Sequence, residues 1–290
     1  MQQVLKRSTI QLLRFPFSYF LMPVYWFALS FVPAIHWGRA ALIFVLLHFL
    51  LYPSSNGYNS YMDRDEESIG GIKSPMQPTR QLFLVTIAMD LIAIILSFLI
   101  STTFAFVFLF YILCSRLYSF RGVRLKQYPI LGYLTVIINQ GALTFFMVYH
   151  GAEIYRTVHM PLTLLLSAAF LIGGFYPITQ VYQHDQDRKD GVTTISMLLG
   201  KRGTFIFCSI MYAIAFLLLF LYYSNHQQLT RFFILQMFFI PVLVFFIRWA
   251  IRVWKDERYA DFQNTMKMNW IASTCTSAGF ITLLILNQLG

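Results

Sequence analysis

The sequence predicts an all-α membrane protein with nine transmembrane helices, and three observations carry that prediction. Of its 290 residues, 58% are hydrophobic and 12% charged, where a soluble domain carries about 25% charge. Its mean hydropathy is +0.61. Apolar runs recur along the whole length, and the basic residues alternate with them, as in a chain threaded through a bilayer with one orientation.

The runs fall at roughly 15–33, 40–58, 82–101, 103–119, 129–149, 161–179, 204–223, 231–249 and 270–288, each near the about 20 residues needed to cross a hydrocarbon core. No soluble domain is left over, so 1–290 reads as one polytopic membrane domain. The first run is too long for a removable signal peptide and lacks a small-residue cleavage site, so it reads as a span. Of the 22 Lys and Arg, all but Arg39, Arg156 and Arg231 lie on the N-terminal side of this threading. The positive-inside rule then puts the N-terminus in the cytoplasm of a cytoplasmic (inner) membrane and the C-terminus outside. Orientation therefore explains the net charge of +10, and no nucleic-acid partner is expected. Cys114, Cys208 and Cys275 have neither pairing nor metal spacing. Trp37, Trp249, Trp254 and Trp270 fall near span ends, where interfacial aromatics belong.

Two short stretches, Asn59 to Glu67 and Gln183 to Asp190, hold seven of the twelve carboxylates, and the threading puts both on one face. Carboxylates beside hydrocarbon are costly, so they usually hold a cation or line a hydrated cavity. The second span ends with Tyr52, Asn56, Asn59, Asp63 and Glu67, at spacings of 4, 3, 4 and 4. At about 3.6 residues per turn these share one helical face. An amide oxygen and two carboxylates in such a ladder suit Mg²⁺, a hard ion that takes few protein ligands and completes its shell with water and phosphate. A solvated helix end is the bland alternative. Gly70-Gly71 and the segment Lys73 to Pro78 then interrupt the helix and read as a loop that delivers Lys73 to a ligand.

After the sixth span, Gln183 and Asp187 lie four apart, with Tyr176 and Thr179 deeper. Asp185-x-Asp187 echoes Asp63-x-Asp65, and each follows the second span of a four-span block. An internal repeat over about 15–119 and 129–249, with 270–288 appended, is the expectation. His184 is off the Gln183 and Asp187 face and reads as interfacial. Between the acidic stretches lie Arg116, Arg121, Arg124 and Lys126. They either orient the chain or neutralise a diphosphate beside a metal. Asp90, Asn139 and Gln140 are polar groups inside spans. Each could contact a second substrate, although a structural hydrogen bond explains Asp90 equally well.

Three motifs in order, Asn59-x₃-Asp63-x₃-Glu67, the Tyr118-Ser119 to Arg124-Leu125-Lys126 loop, and Asp187-Arg188-Lys189-x-Gly191-x₂-Thr194, resemble those of the UbiA family of intramembrane prenyltransferases over essentially the whole chain. The resemblance implies nine helices around a central cavity open to the cytoplasmic side. It implies Mg²⁺-dependent transfer of an isoprenyl group from a prenyl diphosphate to a lipophilic, often aromatic, acceptor among membrane lipids. Asn59, Asp63, Glu67, Gln183 and Asp187 take the places of the metal site. Lys73, Arg124, Lys126, Asn56, Gln183 and Asp185 are expected at the diphosphate, and Asn139 and Gln140 at the acceptor. Two positions depart from the family pattern: Glu67 and Gln183 each stand where Asp is typical. A cation-coupled transporter and a non-catalytic isoprenoid-binding member are the competing readings. Transporters, however, usually place coupling sites near the midplane and not at one face.

Overall fold

The computed structural model describes residues 5–289, and among them no β-strand occurs. The long apolar helices are α1 (Arg7–Ser30), α2 (Trp37–Asp63), α3 (Arg80–Ser97), α4 (Thr102–Ser119) and α5 (Pro129–Ala152). After α6 (Leu162–Ile178) and the short α7 (His184–Lys189) come α8 (Ile195–Asn225), α9 (Leu229–Lys255) and α10 (Phe262–Gln288). Eight of these are long and apolar enough to cross a membrane, and α6 is a shorter apolar helix. Pro161 at its N-cap and Pro177 in its last turn confine α6, because proline cannot extend an α-helix at either place without losing a hydrogen bond.

Several helices deviate from regular geometry next to the site. In α1, Arg14 adopts a left-handed conformation (φ 49°) and a 3₁₀ segment Phe15–Leu21 follows, with Pro16 in its first turn. In α2, a π-helical segment Leu46–Leu51 immediately precedes Pro53. Such a widened turn relieves the clash between a proline ring and the carbonyl four residues back. In α5, a second π-helical segment, Ile137–Leu143, contains Asn139 and Gln140. It packs against α6 so closely that a Cβ on Gly141 would stand 2.6 Å from the Ala169 Cα.

Aromatic contacts join distant parts of the chain: the Phe27 ring of α1 stacks 4.6 Å from Phe280 of α10 and lies tilted 5.1 Å from Phe145 of α5. The opposite face of the bundle is apolar and exposed, with Leu91 and Ile95 of α3 among its residues, as a lipid-facing surface requires. An ion pair inside the bundle joins three of its helices. Asp90 of α3 accepts from Arg116 Nε at 2.9 Å and from Ser54 Oγ at 2.6 Å. The same guanidinium lies 4.1 Å over the Tyr58 ring. Asp90 thus ties α2, α3 and α4 together and does not line the cavity described below. At the other end of the bundle Arg39 is likewise structural, donating to the carbonyls of Glu153 (2.6 Å) and Ile154 (2.9 Å).

Candidate active site

The two acidic stretches meet at a cavity of about 210 Å³ walled by α1, α2, α4, α5, the end of α6, α7 and α10. Its lining includes Asn56, Asn59, Asp63, Lys126, Gln183 and Asp187, and also Asn139 and Gln140. The helical ladder of α2 thus extends as far as Asp63. The Asn59 amide nitrogen donates to Ser119 Oγ at 2.9 Å, which leaves its carbonyl oxygen available for a cation. Asp63 is buried. Its Oδ2 accepts from Lys126 Nζ at 2.5 Å, Arg124 Nη2 stands 3.5 Å from its Oδ1, and that oxygen has no hydrogen-bond partner. Across the cavity, α7 starts after Gln183, whose carbonyl accepts from the Asp187 amide at 2.9 Å. This single turn brings both side chains to the lining.

Four expected residues are not brought to the lining. Arg64 takes a left-handed conformation (φ 57°) and ends α2, so the four-residue stepping that included Glu67 stops one turn early. Glu67 is exposed and pairs with Lys189 at 2.7 Å. Asp65 occupies the lining in its stead, holding Gln186 Nε2 at 2.6 Å. Lys73 lies exposed in the loop beyond Gly71. Asp185 sits two residues before Asp187, so the helical turn points it outward, where it meets Arg188 at 3.2 Å. Arg124 forms a second layer, pairing with Asp190 behind Asp63. His184 is interfacial, with its Nε2 2.8 Å from Ser196 Oγ.

Of the other lining residues, Arg14, Tyr111, Gln180 and Asn269 were not singled out by the sequence. Arg14 is buried at the rim, donating to Asn56 Oδ1 at 3.2 Å and to the Gly70 carbonyl at 3.4 Å. Its signal was hidden because it reads as one more orienting cation. Tyr118 and Tyr176 share a 2.5 Å hydroxyl contact, and Gln180 Nε2 donates to Tyr176 at 2.8 Å. Tyr52, Tyr111 and Asn269 complete the neutral part of the wall.

Electrostatics single out the carboxylates between the helices. Burial, reinforced by Asp65 and Asp63 and opposed by Lys126, pushes Asp187 up to about 7. Burial and the neighbouring Asp63 push Asp65 up to about 6. Both would ionise fully beside a cation, and every donor here is a hard oxygen, so the residues fit Mg²⁺. Among the described residues no three His, Cys, Asp or Glu side chains gather closely enough to enclose an ion alone. A site completed by phosphate oxygens has that character.

The sequence profile of the UbiA prenyltransferase family matches residues 20–287. None of the individual curated proteins compared matches the chain. A UbiA homologue from Archaeoglobus fulgidus bound to DMAPP and Mg²⁺ superposes with a TM-score of 0.72 at 18% identity, over 96% of this chain and 99% of that one. The same homologue bound to GPP and Mg²⁺ gives 0.71 at 17% identity, again over 96% and 99%. The apo UbiA homologue from Aeropyrum pernix K1 gives 0.67 at 17% identity, over 93% and 98%. At these identities the likeness establishes the fold, and the profile establishes the kinship: the chain belongs to the UbiA prenyltransferase family.

Proposed function

We propose that the protein transfers an isoprenyl group from an allylic prenyl diphosphate to a lipophilic acceptor within the membrane, with Mg²⁺ as cofactor. The observation that carries this reading is one cavity in which Asn59, Asp63, Asp65, Gln183 and Asp187 converge beside Lys126 and Arg14, while the remaining wall is neutral and aromatic. The archaeal homologue's complexes with DMAPP or GPP and Mg²⁺ support it.

Asn59, Asp63, Asp65, Gln183 and Asp187 would hold the metal. Mg²⁺, when bound, supplies Lewis-acid stabilisation of the charge developing on the departing diphosphate. Lys126 and Arg14 neutralise the remaining negative charge, with Arg124 holding Asp63 from behind. The allylic carbon–oxygen bond breaks with its electron pair on the diphosphate, the acceptor's electron pair forms the new bond, and the acceptor loses a proton. Tyr52, Tyr111, Tyr118 and Tyr176 wall off water and offer ring faces to the allylic cation. Asn139 and Gln140 contact the acceptor. The excess of Lys and Arg on the acidic side supports a cytoplasmic mouth and a cytoplasmic N-terminus. Cysteine labelling that placed positions 63 and 187 on opposite faces would refute this orientation.

Purified protein in nanodiscs, given GPP, Mg²⁺ and extracted membrane lipids, should release diphosphate and yield a prenylated lipid detectable by mass spectrometry. Undiminished turnover in excess chelator, or wild-type rates in Asp63→Ala and Asp187→Ala, would rule the reading out.

A further inference from the structure

Besides Asn56 Nδ2, which lies beside Arg14, three primary amides on the cavity wall have buried atoms without a hydrogen-bond partner: Asn139 Oδ1, Gln180 Oε1, and both Oδ1 and Nδ2 of Asn269. Their residues are only 4%, 7% and 0% exposed. They come from α5, the turn after α6, and α10, so no single local distortion explains all three. A buried amide left unpaired destabilises a fold, and natural proteins keep few of them. Three around one cavity point to a ligand that supplies the missing partners.

Hydrogen-bond complementarity and charge define that ligand. The Asn139 and Gln180 oxygens only accept, so it must donate, while Asn269 takes either role. The charged groups on the lining are Asp63, Asp65, Asp187, Arg14 and Lys126. Lys126 is engaged by Asp63 at 2.5 Å. Arg14 is held by Asn56 and Gly70, and Asp65 and Asp63 are the carboxylates that act on it. With these cations set beside the diphosphate, none remains to neutralise an anionic second substrate. Burying an unpaired carboxylate or phosphate costs far more than burying a hydroxyl that finds an acceptor.

We propose that Asn139, Gln180 and Asn269 form the acceptor subsite and select an uncharged, hydroxyl-bearing lipophile over a carboxylated or phosphorylated one. The proposal rests on the prenyl-transfer reading and names the acceptor class for it.

The test uses the full-length protein in nanodiscs with Mg²⁺ and inorganic pyrophosphate, titrated calorimetrically with methylhydroquinone and with 2,5-dihydroxybenzoate at pH 8. Methylhydroquinone should bind at least about tenfold more tightly, since a site built to pair hydroxyls discriminates strongly. Asn139→Leu and Asn269→Leu should each weaken its binding about tenfold while leaving pyrophosphate affinity unchanged. Neither variant should lower the melting temperature, because each removes a buried amide that has an unpaired polar atom. A purely structural role would do the reverse. Equal or tighter binding of the carboxylate, no saturable binding of either probe, unchanged hydroquinone affinity in both variants, or a lowered melting temperature in both would overturn the proposal. Failure of the wild type to bind pyrophosphate with Mg²⁺ would instead remove the underlying reading, and the acceptor assignment with it.

Discussion

On the proposed metal assignment, proton and metal compete for Asp187, and the size of that competition follows from its surroundings. Burial lifts this carboxyl to about 7, with Asp65 and Asp63 adding to the effect and Lys126 opposing it. At that value it is about nine-tenths ionised at pH 8 and about one-tenth at pH 6. A divalent ion takes the ionised form, so apparent affinity should fall about tenfold over this interval. Asp65, lifted to about 6, is half protonated at pH 6 and contributes about a further twofold. Metal affinity therefore rises with pH and levels off near pH 8, about twentyfold above its pH 6 value. The assay is titration of the purified protein with Mn²⁺, followed by the EPR signal of the free ion and performed without diphosphate, whose own titration would intrude. Asp187→Asn should keep only the about twofold dependence left by Asp65. A pH-independent half-saturation in the wild type, or the same slope in Asp187→Asn, would refute the reasoning. Stability moves the opposite way. Because the folded value lies above the ordinary carboxylate value of 3.8, this contribution to stability is full below that value and is lost as pH rises through about 7. The metal-free protein should accordingly melt at lower temperature at pH 8 than at pH 5.5.

Three further outcomes are expected. Gly141→Ala forces a Cβ to 2.6 Å from the Ala169 Cα. Overpacking of this kind costs about 1–3 kcal/mol, so thermal unfolding should shift down. An unchanged melting temperature would mean that α5 and α6 can part freely. Asp90→Ala leaves the Arg116 guanidinium without its carboxylate between α3 and α4. Breaking a buried pair costs about 3–5 kcal/mol, and replacing both residues by Leu and Met should recover most of it; failure of that rescue would count against a purely structural pair. Gln183→Asp adds a charged ligand one turn from Asp187 and should lower the Mg²⁺ concentration for half-maximal turnover. An unchanged value would place Gln183 outside the metal site.

The helices were legible in the sequence because apolar length is a long-range average that tolerates errors of several residues. The convergence of Asn59, Asp63, Gln183 and Asp187 on one cavity was legible because four-residue spacing fixes a helical face wherever the helix continues. That condition failed at Arg64, where one left-handed residue ends α2 and turns Glu67 outward. Periodicity carries no signal for such a stop, since arginine has no special preference for that conformation. Arg14 escaped notice for the same kind of reason. Its left-handed backbone and the 3₁₀ segment after it turn the side chain toward Asn56, whereas its sequence neighbours show only an apolar run. The amides Gln180 and Asn269 were illegible because being unpaired is a property of the surrounding packing and leaves no mark in composition.

The stop at Arg64 also bears on the charge missing at Gln183. A helix that continued through residue 67 would set Glu67 in the ladder and rotate Asp65 about 200° away from Asp63. Because it ends, Asp65 reaches the lining, and Gln186 of α7 holds it at 2.6 Å. The cavity therefore carries three carboxylates, Asp63, Asp65 and Asp187, although its second acidic arm contributes only one of them. The neutral Gln183 shifts negative charge toward the α2 side, where Lys126 and Arg124 already bracket Asp63. On the α7 side, Gln186 now spans to Asp65 while Lys189 spans to Glu67. The two acidic stretches are thus cross-linked by polar contacts across the mouth, and the position of α7, with Asp187 on it, depends on the conformation that Arg64 imposes. On the proposed metal assignment, carboxylates divided unequally between two helices in this way make the turn after α2 part of the site, so a substitution at Arg64 should act on metal affinity without touching a ligand.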